Sequence, residues 1–197
     1  GRLSVEDAVT VAESVAVAMD YAWSHFKMVH CDIKPDNIMV DADGTIKVTD
    51  LGLCRSMNLV KGEDRNDAAD EILGTPAYMS PEQVYGSAAL DCRSDIYSLG
   101  ATLYHLVTGR LLFTDKSDDD VMRGHVGEKQ APDVRQFAED AGGPFSLLLE
   151  KMLAKDAGHR NQDWRLLLAD LARLRRGHPP WPVLIPPGGS SMLRDID

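Results

Sequence analysis

Ten apolar residues open this chain at a fixed beat. Val5, Ala8, Val9, Ala12, Val15, Ala16, Met19, Ala22, Trp23 and Phe26 recur at three- and four-residue spacing. That spacing puts them on one face of a helix and commits the chain to a helical layer with a buried side. Ser4-Val5-Glu6-Asp7 at the start has the pattern of a capping box. The helix is predicted to end near Lys27, where the pattern stops.

Two short β-prone runs follow, Ile38-Met39-Val40 and Ile46-Lys47-Val48-Thr49. The turn signal Asp41-Ala42-Asp43-Gly44 lies between them, so the pair is predicted to form a small hairpin. Residues 52–80 show no sustained period and read as a long loop, of the kind that is functional or mobile in a compact domain. Beyond it the pattern is helical again. The stretch 95–108 is apolar nearly all round and closes on Gly109, which predicts a buried helix. A shorter helix is expected within 115–126, and amphipathic helices within 145–154 and 162–175. Residues 178–197 hold Pro179-Pro180, Pro182, Pro186-Pro187 and Gly188-Gly189, the composition of a tail or linker. The expected organisation is one mainly α domain over 1–177 and a Pro/Gly-rich tail over 178–197. No internal repeat is visible.

The chemistry concentrates between the first helix and the hairpin. His30-Cys31-Asp32-Ile33-Lys34-Pro35-Asp36-Asn37 offers a carboxylate for a proton or a hydroxyl, an ammonium for a phosphate and a neutral amide oxygen for a metal. Asp50-Leu51-Gly52, after the second β-prone run, adds a second carboxylate beside that loop. Two carboxylates, an amide and an ammonium converging on one hairpin suit Mg²⁺-nucleotide chemistry. Singly, each fragment reads as a solvated turn or a backbone cap. Their order and placement carry the functional reading.

That order resembles the protein-kinase catalytic domain. His30 to Asn37 is similar to the H-R-D-L-x-x-x-N catalytic loop, with Cys31 for Arg and Ile33 for Leu. Asp50-Leu51-Gly52 resembles D-F-G, and Ser80-Pro81-Glu82 resembles A-P-E. Gly74-Thr75-Pro76-Ala77-Tyr78-Met79 resembles the substrate-facing segment of Ser/Thr kinases. Asp95-Ile96-Tyr97-Ser98-Leu99-Gly100 resembles the buried helix that anchors the catalytic loop. Arg160 resembles the arginine that pairs with the A-P-E glutamate. The likeness runs from about residue 4 to residue 176, and its phrasing is closest to bacterial Ser/Thr kinases.

The resemblance implies a mainly α kinase C-terminal lobe, a helical bundle whose small β-hairpin carries the catalytic and metal-binding loops. Asp32 is then the base for the substrate hydroxyl, and Lys34 steadies the transferring phosphate. Asn37 and Asp50 hold Mg²⁺ beside ATP. Met39 forms the floor under adenine, although plain hairpin core is an equal reading of that residue. Thr75 bonds Asp32 and Lys34, Asp95 bonds catalytic-loop amides, and Glu82 pairs with Arg160. His30 and Leu51 stack in an apolar spine. Lys34 and Thr75 favour Ser/Thr over Tyr substrates.

Two departures shape the expectation. Cys31 cannot pair with a loop phosphate as an arginine does. Between Gly52 and Gly74 the only hydroxyl residue is Ser56, so phosphorylation of this loop is not expected to be the switch. The sequence also lacks a G-x-G-x-x-G loop and its paired strand lysine, the parts that cover and position the phosphates. The expectation is therefore a C-terminal lobe without the N-terminal lobe, inactive alone and weak for ATP, taken from a longer protein kinase. The chain opens almost directly on a helix start, which fits that view. A pseudokinase scaffold is the alternative. A small-molecule phosphotransferase of similar fold would lack the Gly74–Glu82 segment.

The remaining properties set bounds. The net charge is −10, from 21 basic and 31 acidic residues, which disfavours nucleic acid and anionic membranes as partners. Cys31, Cys54 and Cys92 fit neither a zinc spacing nor a disulfide framework, and read as reduced cytosolic thiols. No apolar run approaches the roughly 20 residues of a membrane span, so the chain is expected to be cytoplasmic, with a membrane-anchored parent compatible. The expected partners are a protein substrate and a second copy meeting an exposed interlobe face.

Overall fold

The computed structural model describes residues 1–51, 55–56, 74–87, 90–128 and 130–182. Among them the fold is mostly helical. Helix α1 spans Val5–Phe26 and buries Ala8, Val9, Val11, Ala12, Val15, Ala16 and Met19, the stripe set by the apolar spacing. Ser4 caps it by accepting the Asp7 N–H at 3.1 Å. The full capping box does not form. The Ser4 hydroxyl donates to the Asp7 carboxylate instead, and aspartate is one methylene shorter than the glutamate of the box. Lys27 closes the helix in a left-handed conformation, φ 50.

Strand β1 (Met28–Val29) pairs antiparallel with β4 (Arg55–Ser56). Strands β2 (Ile38–Val40) and β3 (Ile46–Val48) form an antiparallel hairpin in the register Ile38–Val48, Met39–Lys47 and Val40–Ile46. A 3₁₀ turn, Pro35–Asn37, leads into it. The hairpin leans on α1 through β3.

After the described residues resume, a 3₁₀ turn at Pro76–Tyr78 precedes the short helix α2, Pro81–Val84. Helix α3 runs from Cys92 to Thr108. It starts three residues earlier than the apolar run alone predicts, because Asp91 accepts the Arg93 N–H and caps it there. α3 is buried nearly all round, packed on α1 and on α5, Pro144–Met152. Two of its threonines bond back into the helix: Thr102 and Thr108 donate to the carbonyls four residues back. Helix α4 spans Asp118–Val126 and α6 spans Trp164–Leu174. α6 packs along α1, where Arg175 holds Glu13 at 2.7 Å. No helix among the described residues is long and apolar enough to cross a membrane.

Candidate active site

The site is built on α3. Asp95, in its first turn, is fully buried. Its Oδ2 accepts the His30 N–H at 2.7 Å and its Oδ1 accepts the Cys31 N–H at 2.9 Å. Burial pushes this carboxyl up to about 6, while the two amide bonds pull the other way. The pair of bonds fixes Cys31 in a left-handed conformation, φ 68, which a non-glycine residue holds only under constraint. The Cys31 side chain is buried beside Val29 and Leu90, as a small apolar group. His30 is also fully buried. Its Nδ1 accepts the Asp32 N–H at 3.3 Å and its Nε2 meets the Thr49 carbonyl at 3.0 Å. The Nε2-protonated ring satisfies both bonds.

The turn at Cys31 delivers Asp32 into a closed ring of partners. Its Oδ1 accepts from Thr75 twice, from N at 3.0 Å and Oγ1 at 2.8 Å. Its Oδ2 lies 2.8 Å from Lys34 Nζ and accepts from Asn37 Nδ2 at 3.1 Å. Lys34 Nζ also donates to Thr75 Oγ1 at 2.7 Å. Burial opposes the charge on Asp32, yet the Lys34 and Thr75 contacts together hold its carboxyl below the usual range. Asp32 is therefore ionised at neutral pH. Residues 41 and 43 positions apart from Thr75 in sequence meet here within hydrogen-bond distance.

Asn37 links this ring to the hairpin. Its Nδ2 donates to the Asp32 carbonyl at 2.9 Å as well as to the carboxylate. Its own carbonyl accepts from Thr49 N at 2.9 Å and Thr49 Oγ1 at 3.3 Å. Both side-chain bonds use the amide nitrogen, which leaves the amide oxygen as the atom of Asn37 that suits a hard cation. Asp50 follows Thr49 at φ 60 and is exposed at the end of the hairpin. An amide oxygen and a carboxylate held beside one loop fit Mg²⁺, which takes few protein oxygens and completes its shell with water and phosphate.

Met39 and Leu51 are 55% and 57% exposed. The hairpin-core reading of Met39 is therefore excluded: its side chain lies on an open face of the hairpin. His30 and Leu51 differ in the same way, one wholly buried and the other exposed. Gly52 and Cys54 lie outside the described residues, as does the Ser56 side chain.

The segment carrying Thr75 is tied down at two further points. Gln83 donates from Nε2 to the Cys31 carbonyl at 2.7 Å, while its Oε1 accepts the Ser80 N–H at 3.0 Å. With Ser80 Oγ accepting from Gln83 N, this completes a capping box on α2. Gly74, at φ 124, passes so close that an added Cβ would meet the Cys31 carbonyl at 2.9 Å. The second tie is Glu82. Arg160 grips it in a fork, Nη1 to Oε1 at 2.7 Å and Nη2 to Oε2 at 3.0 Å. The other guanidinium hydrogens go to the carbonyls of Ala154, Arg93 and Lys155. All five donors of this buried cation are used, and Ser94 donates to Glu82 at 2.7 Å. Arg160 and Ser94 together hold the Glu82 carboxyl below its usual range against its burial.

Sequence motifs singled out Asp32, Lys34, Asn37, Thr75 and Asp95, and the structure brings these together. It brings Glu82 and Arg160 together separately. The motifs gave no role to Gln83 or Thr49. Gln83 carried one available signal, its place three residues after Ser80 in a capping-box pattern.

Comparison with known proteins agrees with this geometry. The family model for the protein kinase domain matches residues 1–167. The chain is 34% identical over 180 residues to the serine/threonine-protein kinase PknB of Mycobacterium tuberculosis, covering 91% of this chain and 28% of that protein. It is 32% identical over 180 residues to the PknB of Mycobacterium leprae. A probable serine/threonine-protein kinase of Clostridium perfringens is 33% identical over 176 residues, 89% of this chain and 25% of that protein. The chain thus spans about a quarter of the length of these curated relatives. With its motifs in order and the match covering most of its length, the chain belongs to the protein kinase domain family.

Proposed function

We propose that this chain is the C-terminal lobe of a protein serine/threonine kinase, which transfers the γ-phosphoryl group of ATP to protein hydroxyls. The observation that carries the reading is the ring of Asp32, Lys34, Asn37 and Thr75, closed by bonds of 2.7 to 3.1 Å. Asp32 accepts the hydroxyl proton. Because its carboxyl is held low, it orients the nucleophile and takes the proton as the bond to phosphorus forms, which suits a loose transition state with little need for a strong base. Lys34 sits between Asp32 and the incoming phosphate charge. Thr75 holds both and seats the acceptor. Mg²⁺ bound through Asn37 and Asp50 supplies charge neutralisation at the phosphates. Met39, on the open face of the hairpin, would form the floor under the adenine.

The residues that cover the phosphates, a glycine-rich loop and its paired lysine, are supplied from outside residues 1–197 in this reading. Met39 and Leu51, both exposed, then belong to the face on which that lobe rests, and a second copy can cover it when the lobe is missing. The buried, phosphate-blind Cys31 supports activation without phosphorylation of the loop between Gly52 and Gly74. Phosphosite mapping on the active whole protein tests this point: activity without a stoichiometric loop phosphate is expected, and a required one contradicts it. Phosphoryl transfer by the whole protein tests the main reading. Transfer abolished by Asp32→Ala supports it. Tight partner binding without transfer points instead to a scaffold.

A further inference from the structure

Residues 178–182 do not leave the domain freely. After α6 the chain turns at Gly177, φ 75, and comes back along the same helix. Arg173 Nε donates to the Pro179 carbonyl at 2.8 Å. Asp170 Oδ1 accepts the Trp181 N–H at 2.8 Å, and Lys151 Nζ donates to the Trp181 carbonyl at 2.9 Å. Both polar main-chain groups of one residue are thus held. The Arg173 guanidinium also stands 3.8 Å from the centroid of the Trp181 ring, a cation–π contact.

The receiving side is a built site. Asp170 is 1% exposed. Its Oδ2 is fixed by Lys151 at 2.7 Å and by Asn161 Nδ2 at 2.8 Å. The Asn161 amide oxygen is buried without a hydrogen-bond partner. Asp170 Oδ1 and one Lys151 proton are then satisfied by the tail alone. The contacts read main-chain direction and one aromatic face. They bury little of the tail, since Trp181 remains 56% exposed. Pro179, Pro180 and Pro182 hold the segment extended before it docks, which lowers the ordering cost.

We propose that Lys151, Asp170 and Arg173 form a docking notch for an extended proline–aromatic peptide, occupied in cis by Pro179–Pro182 and releasable at Gly177. A partner segment carrying the same Pro-Pro-aromatic-Pro pattern competes with the tail for this notch. The proposal is independent of phosphoryl transfer, so neither stands or falls with the other.

The test uses the full chain and a labelled peptide, His-Pro-Pro-Trp-Pro-Val, followed by fluorescence anisotropy. Trp181→Gly loosens the tail while leaving the notch intact. Saturable binding is expected, at least threefold tighter to Trp181→Gly than to the unaltered chain, whose tail competes at an effective concentration on the order of millimolar. Adding Arg173→Ala, a change on the helix surface checked for folding by circular dichroism, weakens that binding at least fivefold. No saturable binding to Trp181→Gly at about 1 mM peptide, a concentration matched to the tether, overturns the proposal. So does binding that ignores Arg173→Ala, or equal binding to the chain with and without Trp181.

Discussion

Cys31 is where the catalytic loop is made. Its N–H is held by Asp95 and its carbonyl by Gln83, so a strained turn is fixed at both ends by side chains distant in sequence. Replacing Gln83 by Leu leaves the Cys31 carbonyl and the Ser80 amide without these partners. A loss of about 1–3 kcal/mol is expected for removing these two buried hydrogen bonds, read from denaturant unfolding of the chain. Gly74→Ala acts differently. A Cβ there meets the Cys31 carbonyl at 2.9 Å, at a backbone angle suited to glycine. The segment carrying Thr75 has to move, and in the whole protein phosphoryl transfer is expected to fall more than stability does. Equal losses contradict this. Asp32, Lys34, Asn37, Thr75 and Asp95 were legible in the sequence because their spacing is a motif. Gln83 and Thr49 were not, because each acts on a main-chain carbonyl, at Cys31 or Asn37, that only the tertiary fold brings within reach.

At the scale of elements, the long periodic stretches read best. α1 and α3 fall where the apolar spacing places them, since a helix stripe is a property of the chain itself. The short elements did not read. β1 and β4 are two residues each and exist through pairing with one another. α2 has four residues and depends on the Ser80–Gln83 box. Packing between elements also sets the acid response. Asp95 of α3 is pushed up to about 6 by burial, so its contribution is full below the unfolded value near 3.9 and is lost as pH rises through about 6. His125 of α4 is buried, with Nδ1 2.8 Å from the Tyr97 hydroxyl. Burial and the Lys155 charge push it down to about 4, so its contribution is lost as pH falls from about 6.5 towards 4. The two slopes oppose, and the melting temperature is expected to be nearly level between about pH 4 and 6.5. His125→Asn removes one slope and should leave a melting temperature that rises on acidification. Below about pH 4, stability falls in both proteins as Asp32, Glu82 and Asp91, all held low, take up protons. A His125→Asn protein whose melting temperature falls from pH 6.5 to 4.5 would show that Asp95 is not the opposing group.

At the scale of the molecule, two anchors join the helical layer to the loops. Asp95 holds the catalytic loop, and Arg160 holds the segment that bears Thr75 and Glu82. Arg160→Leu leaves Glu82 with the Ser94 hydroxyl but no counter-charge, and three carbonyls without this donor. The Glu82 side chain is 21% exposed, so the expected cost, measured by chemical denaturation, is at or below the about 3–5 kcal/mol of breaking a fully buried pair. The general architecture was visible in the sequence, from helix periods and five ordered motifs. The course of residues 178–182 was not: proline content signals an extended segment, but docking on Asp170 depends on a notch assembled from α5 and α6. In the proposed role this chain holds the base, the metal ligands and the peptide-docking surface. Mg-ATP titrated into residues 1–197 alone is accordingly expected to bind weakly, and micromolar affinity by calorimetry would count against a half-cleft. The most direct measurement is transfer of labelled γ-phosphate from Mg-ATP to a generic protein substrate by the whole protein carrying these residues, with and without Asp32→Ala. The account predicts transfer to serine and threonine that falls at least about a thousandfold in the variant, the scale set by losing the catalytic base together with its hold on Lys34 and Thr75. Transfer that survives Asp32→Ala, in a variant with unchanged unfolding, would contradict it.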